Sequence, residues 1–99
     1  MEKFEKIEEI HISKAIEEID NNGVPEGRES TGYDVYKDND DDPPKYYPPK
    51  YLIWLAYGYA NDEKLEPGST YKKLAYKILE KYGFKFRNKY GRTDQLKIK

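Results

Sequence analysis

One stretch constrains this chain more than any other: YYPPKYLIWLAYGYA, residues 46–60. Pro49 suits the first turn of a helix, where a backbone N–H would have no partner and φ is preset. Pro48 before it keeps the chain extended. The pair fixes the entry of a helix over 49–61. Leu52, Leu55, Ala56 and Tyr59 make one stripe of that helix, and Ile53, Trp54, Tyr57 and Ala60 cover much of the remainder. A helix apolar nearly all round belongs at the centre of a domain. Trp54 and Leu55 are therefore expected in the core, whereas the hydroxyls of Tyr47, Tyr51 and Tyr57 require a polar partner or solvent.

The rest of the chain has little else to bury. Of 99 residues 36% are hydrophobic and 37% charged, so a single domain over 1–99 must build a thin core that leans on 11 Tyr, 3 Phe and 1 Trp. With no Cys there is no disulfide framework and no thiolate chemistry, which fits a reducing, cytoplasmic setting. One His and no Cys argue against a transition-metal site, and no cofactor is expected. KDNDDDPPK (37–45) is acidic but lacks the spacing, mid-loop Gly and closing Glu of a calcium loop, so it reads as a solvated loop. The acidic, amphipathic start MEKFEKIEEI is no signal peptide, and the apolar run 51–57 is too short to span a bilayer.

Periodicity supplies the other elements. Phe4, Ile7, Ile12, Ala15, Ile16 and Ile19 keep three- and four-residue spacings, predicting an amphipathic first helix. Ile10 lies off that stripe, which points to a bend or to a main helix that starts near Ser13. Asn22-Gly23-Val24-Pro25 stops it. Residues 33–36 alternate weakly and read as a short strand. Leu65 is expected to anchor the loop 61–70, and Ser69 or Thr70 to cap a further helix. Tyr71, Leu74, Ala75, Ile78, Leu79 and Tyr82 form its unbroken apolar stripe, and Gly83-Phe84 ends it. The tail alternates, with Phe84, Phe86 and Tyr90 on one face and Lys85, Arg87 and Lys89 on the other. Leu96 and Ile98 follow a turn at Gly91-Arg92, predicting a C-terminal β-hairpin. The expected class is α+β: three helices, a short strand and a hairpin in winged-helix-like order, with the third helix in the position of a recognition helix.

Charge is distributed unevenly along this order. Residues 1–47 carry 6 basic and 14 acidic side chains, a net of −8, whereas residues 48–99 carry 12 and 5, a net of +7. The wet face of the last helix holds Lys72, Lys73, Lys77 and Lys81, with Tyr76 as the large aromatic among them. The hairpin adds Lys85, Arg87, Lys89 and Arg92. Cations at these sites would neutralise phosphates and release counterions, giving affinity with little sequence preference. Tyr76 is the candidate for a sugar or base contact, and the implied partner is double-stranded DNA. Lys50 and Arg28 are weaker additions that only a family resemblance suggests.

Three stretches also resemble a known module. HISKAIEEIDNNGVPEGRESTGYDV (11–35), YYPPKYLIWLAYGYA (46–60) and ILEKYGF (78–84) are similar to the N-terminal head of modification-dependent, Mcr-type restriction endonucleases. The resemblance implies a DNA-recognising accessory domain of a defence system, with methylated DNA among its ligands and cleavage done by a nuclease or motor region elsewhere. This chain has KDNDDDPPKY where the relatives carry a simple glycine turn, and PGST where they carry Ser-Gly-Gly. No catalytic constellation is visible: His11 has no nucleophile beside it, and Asp34 and Asp94 have no evident partner. The chain therefore reads as a non-enzyme. The alternative is a protein-interaction adaptor that uses its acidic and basic halves, and an RNA-binding role lacks any module signature.

Overall fold

The computed structural model describes residues 2–30, 32–37, 45–65 and 71–88. Its elements run α1 (Glu2–Glu5), α2 (Glu9–Asn22), β1 (Tyr33–Lys37), α3 (Pro49–Asn61), α4 (Lys72–Lys81) and β2 (Phe84–Asn88). The described residues thus form a small α+β fold of four helices and a two-stranded antiparallel sheet.

The proline-gated helix is central. Pro48 is extended (φ −73°, ψ 123°), Pro49 opens α3, and the Leu52 N–H donates to the Pro48 carbonyl at 2.9 Å. At the far end Asp62 turns left-handed (φ 57°) and its N–H donates to the Gly58 carbonyl at 2.8 Å. α1, α2, α4 and β1 all pack on α3. Leu52, Ile53 and Ala56 have no solvent exposure. Burying a side chain of the Leu or Ile kind stabilises by about 1.5–3 kcal/mol, so a few such residues anchor the whole domain. Trp54 is only half-buried, at the rim of the core it was expected to join.

The tyrosines show how a polar chain fills a core. Tyr47, Tyr51, Tyr57 and Tyr71 are buried. The Tyr47 hydroxyl donates to Asp20 at 3.0 Å, Tyr71 to the Lys50 carbonyl at 3.1 Å, and the half-buried Tyr82 to the Ile7 carbonyl at 3.2 Å. Among the described residues no buried side-chain polar atom lacks a hydrogen-bond partner. Each ring therefore adds apolar area without the cost of an unpaired hydroxyl.

The expected first helix is two helices. The chain breaks at residues 6–8, where the Ile7 N–H bonds to the Phe4 carbonyl at 3.2 Å. The break turns Phe4 and Ile7 inward and leaves Ile10 more than half exposed. α2 then starts with the Glu8 N–H donating to His11 Nδ1 at 2.9 Å, so the single histidine serves as part of a helix cap. Among the described residues the helix count of four corrects the expected three.

β2 pairs with β1, and Val35 stands opposite Phe86. On its other edge Val35 exchanges backbone hydrogen bonds of 2.8 and 2.9 Å with Tyr47. β1 is thereby the middle of a three-rung arrangement whose inner side is sealed by Val35, Tyr47 and Phe84. Of the expected C-terminal hairpin, Lys89 and Tyr90 at the end of the first strand, the turn at Gly91-Arg92 and the return strand with Leu96 and Ile98 lie outside the described residues.

Candidate nucleic-acid interface

α4 contains neither Gly nor Pro and presents Ala75 and Leu79 to the core, with Leu74 and Ile78 beside them. Its N-cap is Tyr71, whose carbonyl accepts the Ala75 N–H at 2.8 Å, while the expected caps Ser69 and Thr70 lie outside the described residues. At its end Gly83 takes φ 90° and its N–H donates to the Glu80 carbonyl at 3.0 Å, turning the chain into β2. The apolar stripe settles what remains for solvent: Lys72, Lys73, Lys77, Glu80 and Lys81 are all exposed.

Their electrostatic state separates them from four other cations of the chain. Lys3 pairs with Glu63 at 2.5 Å, Lys37 with Glu9 at 3.0 Å, Lys45 with Asp20 at 3.5 Å and Arg87 with Asp34 at 3.4 Å. None of the four α4 lysines forms an ion pair among the described residues. Lys72 Nζ instead sits 5.9 Å from the Tyr76 ring centroid and Lys81 Nζ 5.3 Å from that of Tyr82. Such contacts hold a cation in place without cancelling its charge.

Tyr76 is not the free aromatic that the sequence suggested. Its ring packs on Phe86 at 5.0 Å, tilted by 50°, and is half-buried between α4 and β2. Burial pushes its phenol above the ordinary tyrosine range, with a smaller contribution from the neighbouring Tyr33. Its offering to a ligand is an edge of the ring next to Lys72.

Lys85 and Arg87 alternate with Phe84 and Phe86 as expected. Because Phe86 faces Tyr76 of α4, Lys85 and Arg87 leave the strand on the opposite side of the sheet. Arg87 is engaged there: its guanidinium lies 3.7 Å from the centroid of the Tyr46 ring, and Asp34, with a side chain only 13% exposed, meets its charge. Ser30 Oγ also donates to Asp34, and Tyr46 meets Tyr36 edge-on at 5.4 Å. The structure thus gathers Lys72, Lys73, Tyr76, Lys77 and Lys81 on one helix and puts Lys85 and Arg87 on the outer face of the sheet. Lys89 and Arg92 lie outside the described residues. Arg28 and Lys50 are found elsewhere, on the faces of Tyr51, Trp54 and Tyr71.

Lys64, which periodicity did not single out, approaches the Trp54 ring at 5.9 Å. No local pattern marks it, because Trp54 and Lys64 meet only through the loop after α3. Among the described residues no group of three or more His, Asp and Glu side chains could hold a metal ion. No helix of the described residues is long and apolar enough to cross a membrane. No family model matches the chain, and no curated protein or solved structure matches it significantly.

Proposed function

We propose that this chain is a DNA-binding module that grips duplex phosphates through α4, in the manner of a winged-helix domain whose recognition helix enters the major groove. The observation that carries this reading is the state of Lys72, Lys73, Lys77 and Lys81. All four are exposed and none is ion-paired among the described residues, whereas Lys3, Lys37, Lys45 and Arg87 meet carboxylates. Lys85, Arg87, Lys89 and Arg92 are the candidates for flanking backbone contacts, and Tyr76 for a sugar or base contact beside Lys72. The resemblance of residues 11–84 to the head of modification-dependent restriction enzymes supports a place in a cytoplasmic defence system. In that reading the module binds DNA, methylated DNA included, and a nuclease or motor partner does the cutting.

Four phosphate contacts imply a slope of about −3.6 for log K against log salt, at about 0.9 per contact. Affinity should then fall by about a hundredfold between 50 and 200 mM salt. The test is a titration of labelled duplexes, unmodified and methylated, at two salt concentrations, with the variant Lys72→Glu/Lys73→Glu/Lys77→Glu alongside. Loss of binding in the variant supports the interface, and indifference to the charge reversal ends it.

The second reading, an adaptor for a basic partner, has one observation in its favour. An open groove between α2 and α3 is lined by Lys14, Glu17, Glu18, Asn21, Asn22 and Tyr59. Binding there would survive the α4 charge reversal and be lost on Glu17→Lys/Glu18→Lys.

A further inference from the structure

Arg28, Lys50 and Lys64 converge on an aromatic floor that the α4 face does not include. The turn after α2 begins the arrangement. Gly27 takes φ 87° and the Arg28 N–H donates to the Pro25 carbonyl at 3.0 Å, so the chain doubles back and delivers Arg28 onto α3. Its guanidinium carbon lies 4.8 Å from the Trp54 ring centroid and 5.0 Å from that of Tyr51. Those two rings, one helical turn apart, are themselves stacked at 6.0 Å and 15°. The indole is fixed in turn, because its Nε1–H donates to the Leu65 carbonyl at 3.1 Å. Lys64, next to Leu65, holds its Nζ 5.9 Å from the same indole.

Tyr71 closes the cluster. Its hydroxyl donates to the Lys50 carbonyl at 3.1 Å, and Lys50 Nζ sits 5.3 Å from its ring. Burial raises the Tyr71 phenol above its ordinary range, and the nearby Arg28 charge acts in the opposite direction. Three like charges are thereby held over neighbouring aromatic rings, and among the described residues none of them is ion-paired. Two acids near them in sequence are engaged elsewhere: Glu29 accepts the Gly27 N–H at 3.0 Å, and Glu63 is taken by Lys3. Arg87, stacked on Tyr46 but neutralised by Asp34, is the contrasting case.

Stacking leaves the in-plane N–H groups of a guanidinium at its rim, and that fork matches the oxygens of a phosphate. The ammonium groups of Lys50, over Tyr71, and Lys64, over Trp54, add charge to the same aromatic cluster. Tyr71 is also the residue immediately before α4, so the cluster lies at the amino end of the lysine-bearing helix and adjoins Lys72.

We infer that Arg28, Lys50 and Lys64, positioned by Tyr51, Trp54 and Tyr71, form a second phosphate-binding site that holds a phosphodiester of the duplex engaged by α4. The inference rests on the nucleic-acid reading above. It gives the aromatic helix a role beyond packing, because α3 supplies the surface that keeps these cations apart from carboxylates and aimed at one ligand.

Trp54 is the only tryptophan of the chain and lies inside this site, so its emission reports occupancy directly. The full chain is titrated with a short labelled duplex while Trp54 fluorescence and duplex anisotropy are followed together, and inorganic pyrophosphate is titrated in parallel. The variants are Lys50→Gln/Lys64→Gln, at two exposed positions, and Arg28→Lys, which keeps the charge and loses the fork, with thermal melts by circular dichroism to check folding. The duplex is expected to change Trp54 emission, and the double variant to lower the salt slope by up to about 0.9, the value for one phosphate. Arg28→Lys should weaken binding with that slope preserved.

If the double variant binds duplex with unaltered affinity and slope while Trp54 stays silent, the second site is wrong and the α4 reading stands. A Trp54 response to pyrophosphate but not to bound duplex would assign the site to a free phosphate compound and overturn the strand contact. Flat anisotropy for the unmodified chain would remove the nucleic-acid reading itself, and this site with it.

Discussion

Replacing Leu52 by Ala deletes an isopropyl group at a position with no solvent exposure, on the helix against which α1, α2, α4 and β1 pack. The lost transfer free energy is about 2.4 kcal/mol, at about 0.8 kcal/mol for each carbon removed. A residual cavity adds to it, since elements on several sides restrict how far the neighbours can relax, and the total should reach about 3–4 kcal/mol. For a domain whose whole stability is of order 5–15 kcal/mol, that is a large share. With a urea m-value of about 1.5 kcal/mol/M the midpoint should drop by about 2–3 M, and the melting temperature by about 15–25 °C. Trp54 emission is the natural probe, because the indole is half-buried and tied to the Leu65 carbonyl in the native state. Tyr59→Ala on the same helix removes far more atoms, yet Tyr59 is 43% exposed and bonds Glu18 at the surface, so it should cost less than about 1.5 kcal/mol. A midpoint shift below about 0.5 M for Leu52→Ala, or a larger cost for Tyr59→Ala, would refute the placement of α3 at the centre.

Three further outcomes follow from single observations. Hydrogen bonding to Lys3, ahead of its charge, holds the Glu63 carboxyl below its ordinary value of 4.5, and the same pairing raises Lys3 above 10.5. The stabilising contribution of Glu63 is present above its unfolded pKa and fades as pH falls through the lowered folded value, whereas that of Lys3 is lost as pH rises through its raised one. A carboxyl titration by NMR should therefore find Glu63 below 4.5 in the native chain and back near 4.5 in Lys3→Gln, and an unchanged midpoint between the two would contradict the pairing. Gly83→Ala forces a side chain into φ 90° at the junction of α4 and β2 and should destabilise by about 1–2 kcal/mol in urea melts, so a neutral result would mean that the turn can relax. Burial against Phe86 keeps the Tyr76 phenol above 10.0, so in a spectrophotometric titration Phe86→Ala should bring one late-ionising tyrosine down toward that value.

The sequence alone was enough for what is decided locally. Pro48-Pro49 preset the backbone that opens α3, and the stripe from Leu74 to Leu79 fixed which side of α4 is wet, because helical periodicity is written into consecutive residues. Ile10 off the stripe signalled a bend, which the structure puts at residues 6–8, whereas the alternative start near Ser13 is corrected to Glu9. Leu65 was correctly read as an anchor, although its role as acceptor for the Trp54 indole needed the fold. Only the tertiary structure could show that β2 pairs with β1, since a pairing across some fifty positions leaves no signal in either strand by itself. The same holds for the state of the charges. Arg87 looks like any basic residue of an alternating strand until Asp34 is set against it, and Arg28, Lys50 and Lys64 look like scattered surface cations until Tyr51, Trp54 and Tyr71 gather them. A side chain's type and face are properties of short spans, but its neutralisation or concentration depends on which distant residues folding brings within a few ångströms.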